Sequence, residues 1–317
     1  MDTLATALYI LIAFSLSLYF WLDGYTLGVG LNMPLIGDGQ AREDAIRSVT
    51  PFWDANQTWL VFAVSALYGA FPTLYSTILP TFYIEIVVLL MLLFVRGIVF
   101  EFYEKFTRPG LFQILLFLTA LTAAYLQGAI VTQLVIGAGI TNEPGRGEIW
   151  QYASALGGFS FIMIYTVLGS AWLRMYRQRS NGIQVSNHRH VPGIMAVILM
   201  AFWIATCLTE QPLIAARFGS RIGIMLCLVF IGAMLAVLIT LFGGRYAKPF
   251  LLTACPVMLV AAIACACLYP DLVIGTLQPQ DAAASHASLA FLLSGLAIML
   301  PLILAYTFYS YRSLLKT

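Results

Sequence analysis

Four ionisable side chains lie within or at the ends of long apolar runs in the first third of the chain. They are Asp23, Asp54, Arg96 and Glu101. Ionisable groups inside a bilayer are costly, roughly 2.5–3.5 kcal/mol each at the centre of a helix on insertion scales, so they are default candidates for function. An arginine among three carboxylates can form a proton or cation path. It can equally form ion pairs that only fix the packing of helices.

Helical spacing adds hydroxyl groups to these candidates. Thr58 and Ser65 share the helix face of Asp54, because residues four, seven or eleven apart lie on one side of a helix. A carboxylate continued by hydroxyls could carry protons or hydrogen-bonded waters into the membrane. The alternative is that both hydroxyls are packing residues bonded to carbonyls of their own helix. Glu85 shares the face of Arg96 but has no basic partner at its depth, so a protonated state and an unseen partner protein both stay open.

The composition identifies the elements that must position these groups. The chain has 317 residues, of which 61% are hydrophobic and 9% charged, and its mean hydropathy is +0.90. Soluble domains are nearer half apolar and a quarter charged, and too few polar side chains remain here to cover a soluble surface. These values exclude a soluble enzyme, a nucleic-acid-binding protein and a disordered chain. Continuous apolar runs of about 20 residues also exclude a barrel of alternating strands.

The apolar runs predict an all-α integral membrane protein with nine transmembrane helices, since a bilayer core of about 30 Å needs about 20 apolar residues per helix. Pro72 and Pro80 are expected to bracket a tight turn between the second and third helices. The loops are short, so residues 1–317 form a single polytopic membrane domain. The predicted helices cover about 4–31, 54–75, 78–101, 111–139, 152–174, 192–210, 220–243, 249–269 and 287–311.

The distribution of Lys and Arg predicts the orientation of these helices. With nine spans, twelve of the 16 Lys and Arg residues lie on one side and three on the other, and Arg96 lies inside the third helix. Positive residues collect on the cytoplasmic side. The C-terminus is therefore expected in the cytoplasm and the N-terminus outside it. The start Met-Asp-Thr has no basic leader, which favours a permanent first helix over a cleaved signal peptide.

Metal and cofactor ligands are scarce in the predicted spans. None of the three histidines, His188, His190 and His286, falls in the middle of a span, where an axial haem ligand is normally held. The methionines and cysteines in apolar runs are typical packing residues. We therefore expect the chain to bind no haem or metal by itself. Gly24 and Gly28 form a small-xxx-small pair, which predicts close packing of the first helix against a neighbour.

Several motifs resemble the signatures of one family of membrane enzymes. The run LDGYTLGVGL at 22–31 resembles the first-helix signature of subunit II of the cytochrome bd-type ubiquinol oxidases, a family that includes a cyanide-insensitive branch. The run PFWDANQTWL at 51–60, followed by ALYGAFP at 66–72, resembles the second-helix signature, and FVRGIVFE at 94–101 resembles the end of the third helix. PLILAYT at 301–307 is similar to the last helix. The first three motifs follow the order and spacing of that family.

This resemblance implies an architecture and a set of partners. Subunits of the family have two four-helix bundles plus one peripheral helix. Subunit II pairs with a haem-bearing subunit I, often with a small single-helix third subunit, in the bacterial inner membrane. Subunit I holds the haems b and d and the loop that oxidises quinol, whereas subunit II holds no haem. The complex reduces oxygen to water with protons taken from the cytoplasm.

The resemblance also implies roles for individual residues. Asp54, beside Trp53, matches the family acid linked to proton or cation entry, and Asp23, Arg96 and Glu101 match the charged positions around it. Thr26 stands where many members have a second acid. A cation site that needs both acids therefore lacks one of them here, while a proton route through Asp54 is unaffected.

Other functions are compatible with the same charged residues. A proton-coupled secondary transporter would need broken helices around a binding pocket at the middle of the membrane. The predicted midplane is almost entirely aliphatic apart from Glu85, Gln127 and small hydroxyls. A purely structural subunit without an ion path is a third possibility. A bound lipid or quinone is compatible with the sequence, although no residue pattern predicts one.

Overall fold

The computed structural model describes residues 3–37, 39–105, 109–137, 151–180, 190–210, 215–216, 250, 257–258 and 279–314. The predicted helices at 220–243 and 249–269 lie outside this part of the chain, apart from three single positions. The described elements are helical. They are α1 (Thr3–Asn32), α2 (Gly39–Val49), α3 (Trp53–Ala70), α4 (Pro72–Thr81), α5 (Tyr83–Phe102), α6 (Pro109–Ile136), α7 (Tyr152–Ser180), α8 (His190–Glu210), α9 (Pro279–Ala282) and α10 (His286–Leu314), with 3₁₀ turns at Met33–Leu35 and Tyr103–Lys105.

Six of the described helices are long and apolar enough to cross a membrane, namely α1, α5, α6, α7, α8 and α10. This confirms the prediction of an all-helical protein with several membrane spans. The helix α3, at 18 residues, is not among the six. Its first two turns contain Asp54, Asn56 and Gln57, which lower its hydropathy. The total of nine spans therefore stays a prediction.

The predicted tight turn between Pro72 and Pro80 is wrong. The helix breaks at Phe71 and again at Phe82, and α4 occupies the interval between them with Pro72 in its first turn and Pro80 inside it. Proline fits the first turn of a helix because its missing N–H has no helical acceptor there. Pro80 lies only one residue before the end of α4, so it interrupts little of the hydrogen-bond ladder. The helix α2, which lies between the first two predicted membrane helices, is also absent from the sequence prediction.

The helix α1 lies at the centre of the described part of the fold and packs against α7, α3 and α6. A Cβ atom on Gly28 would overlap the backbone carbonyl of Tyr165, and one on Gly169 would overlap the backbone of Gly28. A Cβ on Gly24 would lie 2.7 Å from the Tyr165 ring. These contacts confirm the close packing that the glycine pair predicts. Residues 22–32 of α1 are all enclosed by these neighbours, so the polar residues Asp23, Thr26 and Asn32 are buried inside the protein.

Candidate functional site

A buried ion pair joins α1 to α5. Arg96 Nη2 lies 2.8 Å from Asp23 Oδ1 and 2.9 Å from Oδ2, and both residues have no exposed surface. A lone charge in this position would be far more costly than the pair, which has no net charge. Asp23 is nine residues from the end of α1 and Arg96 six from the end of α5, or about 14 Å and about 9 Å along the two helices.

The hydroxyl of Thr26 connects both members of this pair. It accepts a hydrogen bond from Arg96 Nη1 at 3.3 Å, and it lies 2.7 Å from Asp23 Oδ1 and 2.8 Å from the Asp23 carbonyl oxygen, to which it can donate. An acid at this position would give the group a net negative charge. A threonine keeps it neutral while still serving both partners. The Nε atom of Arg96 is buried without a hydrogen-bond partner among the described residues.

A chain of neutral groups lies beside the ion pair. The Tyr165 hydroxyl donates to Gln127 Oε1 at 2.6 Å, and Gln127 Nε2 donates to the Tyr19 hydroxyl at 2.9 Å. Tyr19 precedes Asp23 by one helical turn, and its hydroxyl interacts electrostatically with Asp23 and Arg96. These three side chains connect α7, α6 and α1 and are all buried. The sequence prediction missed both tyrosines, although the spacing of four residues from Asp23 was a signal for Tyr19.

A second polar group lies where α1, α3 and α10 meet. We call it the Asn56 ring, formed by Asn56, Tyr25 and Tyr311. The Tyr311 hydroxyl donates to Asn56 Oδ1 at 2.8 Å, the two tyrosine hydroxyls are 2.7 Å apart, and Asn56 Nδ2 lies 3.3 Å from the Tyr25 hydroxyl. Tyr25 also stacks on Trp172 at 4.3 Å between ring centroids. The sequence prediction missed all three members.

Four of the remaining predicted site residues lie on the surface of the chain. Asp54, Thr58 and Ser65 are exposed along one face of α3, and Glu101 is exposed at the end of α5. Among the described residues, Arg96 forms its ion pair with Asp23 and with neither of the other two acids. The Thr58 hydroxyl lies 3.4 Å from the carbonyl oxygen of Asp54, a weak bond within its own helix. The structure thus separates the four charged residues into a buried pair and two exposed acids.

A groove with a volume of about 570 Å³ separates α3 from α5. Its walls are mostly apolar, and its polar groups come from Trp53, Gln57 and Glu101. Trp53 closes one end by packing on Gly97, where an added Cβ would lie 2.9 Å from the indole ring. The groove includes Val61, which belongs to the same exposed face of α3 as Asp54. The groove and the polar face therefore form one continuous surface.

Glu85 lies in the first turn of α5, since that helix begins at Tyr83 rather than at residue 78. Within the described residues, no three His, Cys, Asp or Glu side chains are placed to hold a metal ion, and His286 is exposed.

Replacing Thr26 with Val should lower the stability of the protein by about 1–2 kcal/mol, because Arg96 Nη1 and Asp23 Oδ1 each lose a buried hydrogen-bond partner. Valine keeps the shape of the side chain, so the change isolates the hydroxyl. The measurement is the midpoint of thermal unfolding of the protein purified from membranes. Thr73→Val, at an exposed position of α4, is the control, and equal midpoints for the two variants would contradict a supporting role of Thr26.

Comparisons with known proteins agree with the family resemblance. A family model described as cytochrome bd terminal oxidase subunit II matches residues 4–314. The chain is 31% identical over 165 residues to cytochrome bd ubiquinol oxidase subunit 2 of Bacillus subtilis, which covers 51% of this chain and 46% of that protein. It is 24% identical to a probable cytochrome oxidase subunit 2 of Haemophilus influenzae, over 96% of this chain and 91% of that one.

The described fold also resembles a solved protein. A chain of the bd oxidase from Geobacillus thermodenitrificans superimposes with a TM-score of 0.78 at 15% sequence identity, and 99% of both chains is covered. At this identity the match establishes the fold alone. The family model, in contrast, spans nearly the whole sequence. The chain therefore belongs to the cytochrome bd terminal oxidase subunit II family.

Proposed function

We propose that this chain is the haem-free second subunit of a bd-type quinol:oxygen oxidoreductase. In this proposal it pairs with a haem-bearing subunit I in the bacterial inner membrane and stabilises it. It also supplies part of the cytoplasmic proton path for the reduction of oxygen to water in aerobic respiration. Family membership supports the pairing, and the relatives named as ubiquinol oxidase subunits support quinol as the substrate of the complex.

The polar face of α3 is the observation that carries the proton-path proposal. Asp54, Thr58 and Ser65 are exposed on one side of a helix surrounded by apolar elements. Polar side chains avoid lipid, so this face should be covered by a partner protein or by ordered water. Asp54 and Ser65 are eleven residues apart, about 16 Å along the helix. That length is about half of a bilayer core of about 30 Å.

The buried and the exposed acids have different roles in this proposal. Asp54 lies exposed in the first turn of α3, where its carboxylate is accessible to collect protons. Asp23 is buried against Arg96, where its role is to balance the charge of the guanidinium. Glu101 lies at the groove and can attract protons or cations toward Asp54. Trp53 forms the wall between the groove and the protein core.

The proposed architecture follows the family, with nine transmembrane helices as two four-helix bundles and one peripheral helix. The N-terminus faces the periplasm and the C-terminus the cytoplasm, as the Lys and Arg distribution indicates. The haems b and d belong to subunit I, and a small third subunit is part of the proposed complex. A solute transporter is less well supported, because at the Phe71 break the N–H and the C=O of Phe71 are both bonded within the protein, to Leu67 and Tyr75.

Replacing Asp54 with Asn should lower the oxygen reduction rate of the complex at least about tenfold, since an amide cannot take up and release the proton. Haem content and the amount of assembled complex should stay unchanged, because asparagine keeps the size and shape of aspartate and Asp54 lies outside the core of this chain. The measurements are oxygen consumption with quinol and the visible absorbance of the purified complex. The control is Asp44→Asn, which removes a carboxylate from α2 on the same predicted side of the membrane. Full turnover of the Asp54 variant would contradict the proton path.

A further inference from the structure

We propose that Asn56 is a positioning residue for Asp54, and that the hydroxyl of Tyr311 on α10 is part of the same device. This inference rests on the proposed function, because it concerns how the proton-collecting acid is held. Asp54 and Asn56 are two residues apart, so they point to nearly opposite sides of α3. Asp54 is exposed and Asn56 is fully buried. The buried side chain of Asn56 therefore anchors the first turn of α3 on the side opposite to Asp54.

The first turn of α3 depends on such an anchor. Its N-cap residue is Phe52, which provides no side-chain hydrogen bond to the helix. Helix ends without a capping side chain are held by other contacts or they fray. Here the contacts come from Asn56, whose Nδ2 donates to the Leu22 carbonyl of α1 at 2.8 Å. Leu22 directly precedes Asp23, so one side chain ties the turn of Asp54 to the helix of the buried ion pair.

The Asn56 ring has a defined direction of hydrogen bonding. Tyr311 donates to Asn56 Oδ1, so the short contact between the two hydroxyls needs Tyr25 as its donor. Asn56 Nδ2 then donates to the Tyr25 oxygen and closes the cycle. Each hydroxyl donates one hydrogen bond, and the second N–H of Asn56 Nδ2 donates to the Leu22 carbonyl oxygen. Losing any one hydroxyl leaves a polar atom of Asn56 or Tyr25 unpaired in a buried position.

Tyr311 is the point at which α10 reaches the turn of Asp54. Its ring packs against Phe52, the residue just before α3, at 4.5 Å between ring centroids. Its hydroxyl bonds to Asn56, the fourth residue of α3. Much of α10 is otherwise exposed, as shown by Tyr309, which is 70% exposed. A change at Tyr311 should therefore alter the position of Asp54 without removing a proton-carrying group.

The test is Tyr311→Phe in the complete oxidase complex, with Tyr309→Phe on the same helix as the matched control. Phenylalanine keeps the ring against Phe52 and deletes only the hydroxyl. We expect kcat to fall about fivefold, the rate equivalent of one buried hydrogen bond, with the KM for quinol unchanged. The solvent deuterium isotope effect on kcat should rise, because proton delivery becomes slower relative to the other steps. The control should match the unmodified complex in all three quantities.

A second variant tests whether Asn56 and Tyr311 act together. Asn56→Ala should lower kcat in the same direction, and combining it with Tyr311→Phe should add little, since both changes open the same ring. Normal kcat and isotope effect in Tyr311→Phe, with Asp54→Asn still slow, would overturn this inference and leave the proton path intact. Full turnover in Asp54→Asn would instead overturn the proposed function. A loss of activity in Tyr311→Phe that only follows the amount of assembled complex would also overturn the positioning role.

Discussion

Replacing Asp23 with Asn should remove most of the assembled protein from the membrane. The change leaves the Arg96 guanidinium buried without a carboxylate, and breaking a buried ion pair from one side typically costs about 3–5 kcal/mol. Neighbouring groups cannot replace the lost charge, because Thr26 and the Tyr19 hydroxyl are neutral. The amount of complex extracted from membranes and its thermal unfolding midpoint measure the effect, and both should fall sharply.

A double variant tests whether the unpaired charge of Arg96 causes this loss of stability. Removing both charges together, with Asp23→Leu and Arg96→Leu, should recover part of the lost stability, because no unpaired charge then remains. The exposed pair between Arg47 and Glu104, 3.1 Å apart with side chains 53% and 69% exposed, is the matched comparison. Glu104→Gln should change stability by no more than about 1 kcal/mol. Wild-type stability in Asp23→Asn would show that Arg96 is compensated by something other than Asp23.

The sequence was enough to predict the membrane class and to include Asp23 and Arg96 among four charged candidates, but not to predict which acid pairs with Arg96. Charged residues in apolar runs are conspicuous because their burial is costly, so Asp23 and Arg96 stand out without a structure. The direction in which a side chain faces is harder to predict, since it depends on which neighbours enclose each helix. Asp54 and Asp23 look alike in sequence, yet α1 is enclosed and one face of α3 is not.

The neutral members of the site were not predictable for a different reason. Tyr19, Gln127 and Tyr165 carry no charge, and tyrosine is common in membrane proteins, so no single position stands out. Their hydrogen bonds join α1, α6 and α7 across 108 residues of sequence in one case and 38 in the other. The short helices α2 and α4 were missed because α2 is too polar to cross a membrane and α4 is bounded by prolines, which read as turn signals.

Replacing Gly28 with Ala should prevent α1 from packing against α7. The new Cβ would overlap the backbone carbonyl of Tyr165, and backbone cannot move aside as a side chain can. The two helices would have to separate. We expect a loss of about 3 kcal/mol or more, at or beyond the upper end of overpacking changes in protein cores. Separation would also strain the hydrogen bond of Asn32 to the Thr166 carbonyl, which links the same helices at 2.9 Å.

Gly295→Ala provides the comparison for this change, because Gly295 lies within α10 and an added Cβ there meets nothing within 4 Å. That variant should change stability by less than about 1 kcal/mol, the difference in helix propensity between the two residues. Both variants add one methyl group to a predicted membrane-spanning helix, so a difference between them measures the contact between α1 and α7. If Gly28→Ala assembled and unfolded like Gly295→Ala, the two helices would not be in backbone contact. The burial of Asp23, which depends on α1 being enclosed, would then lose its structural basis.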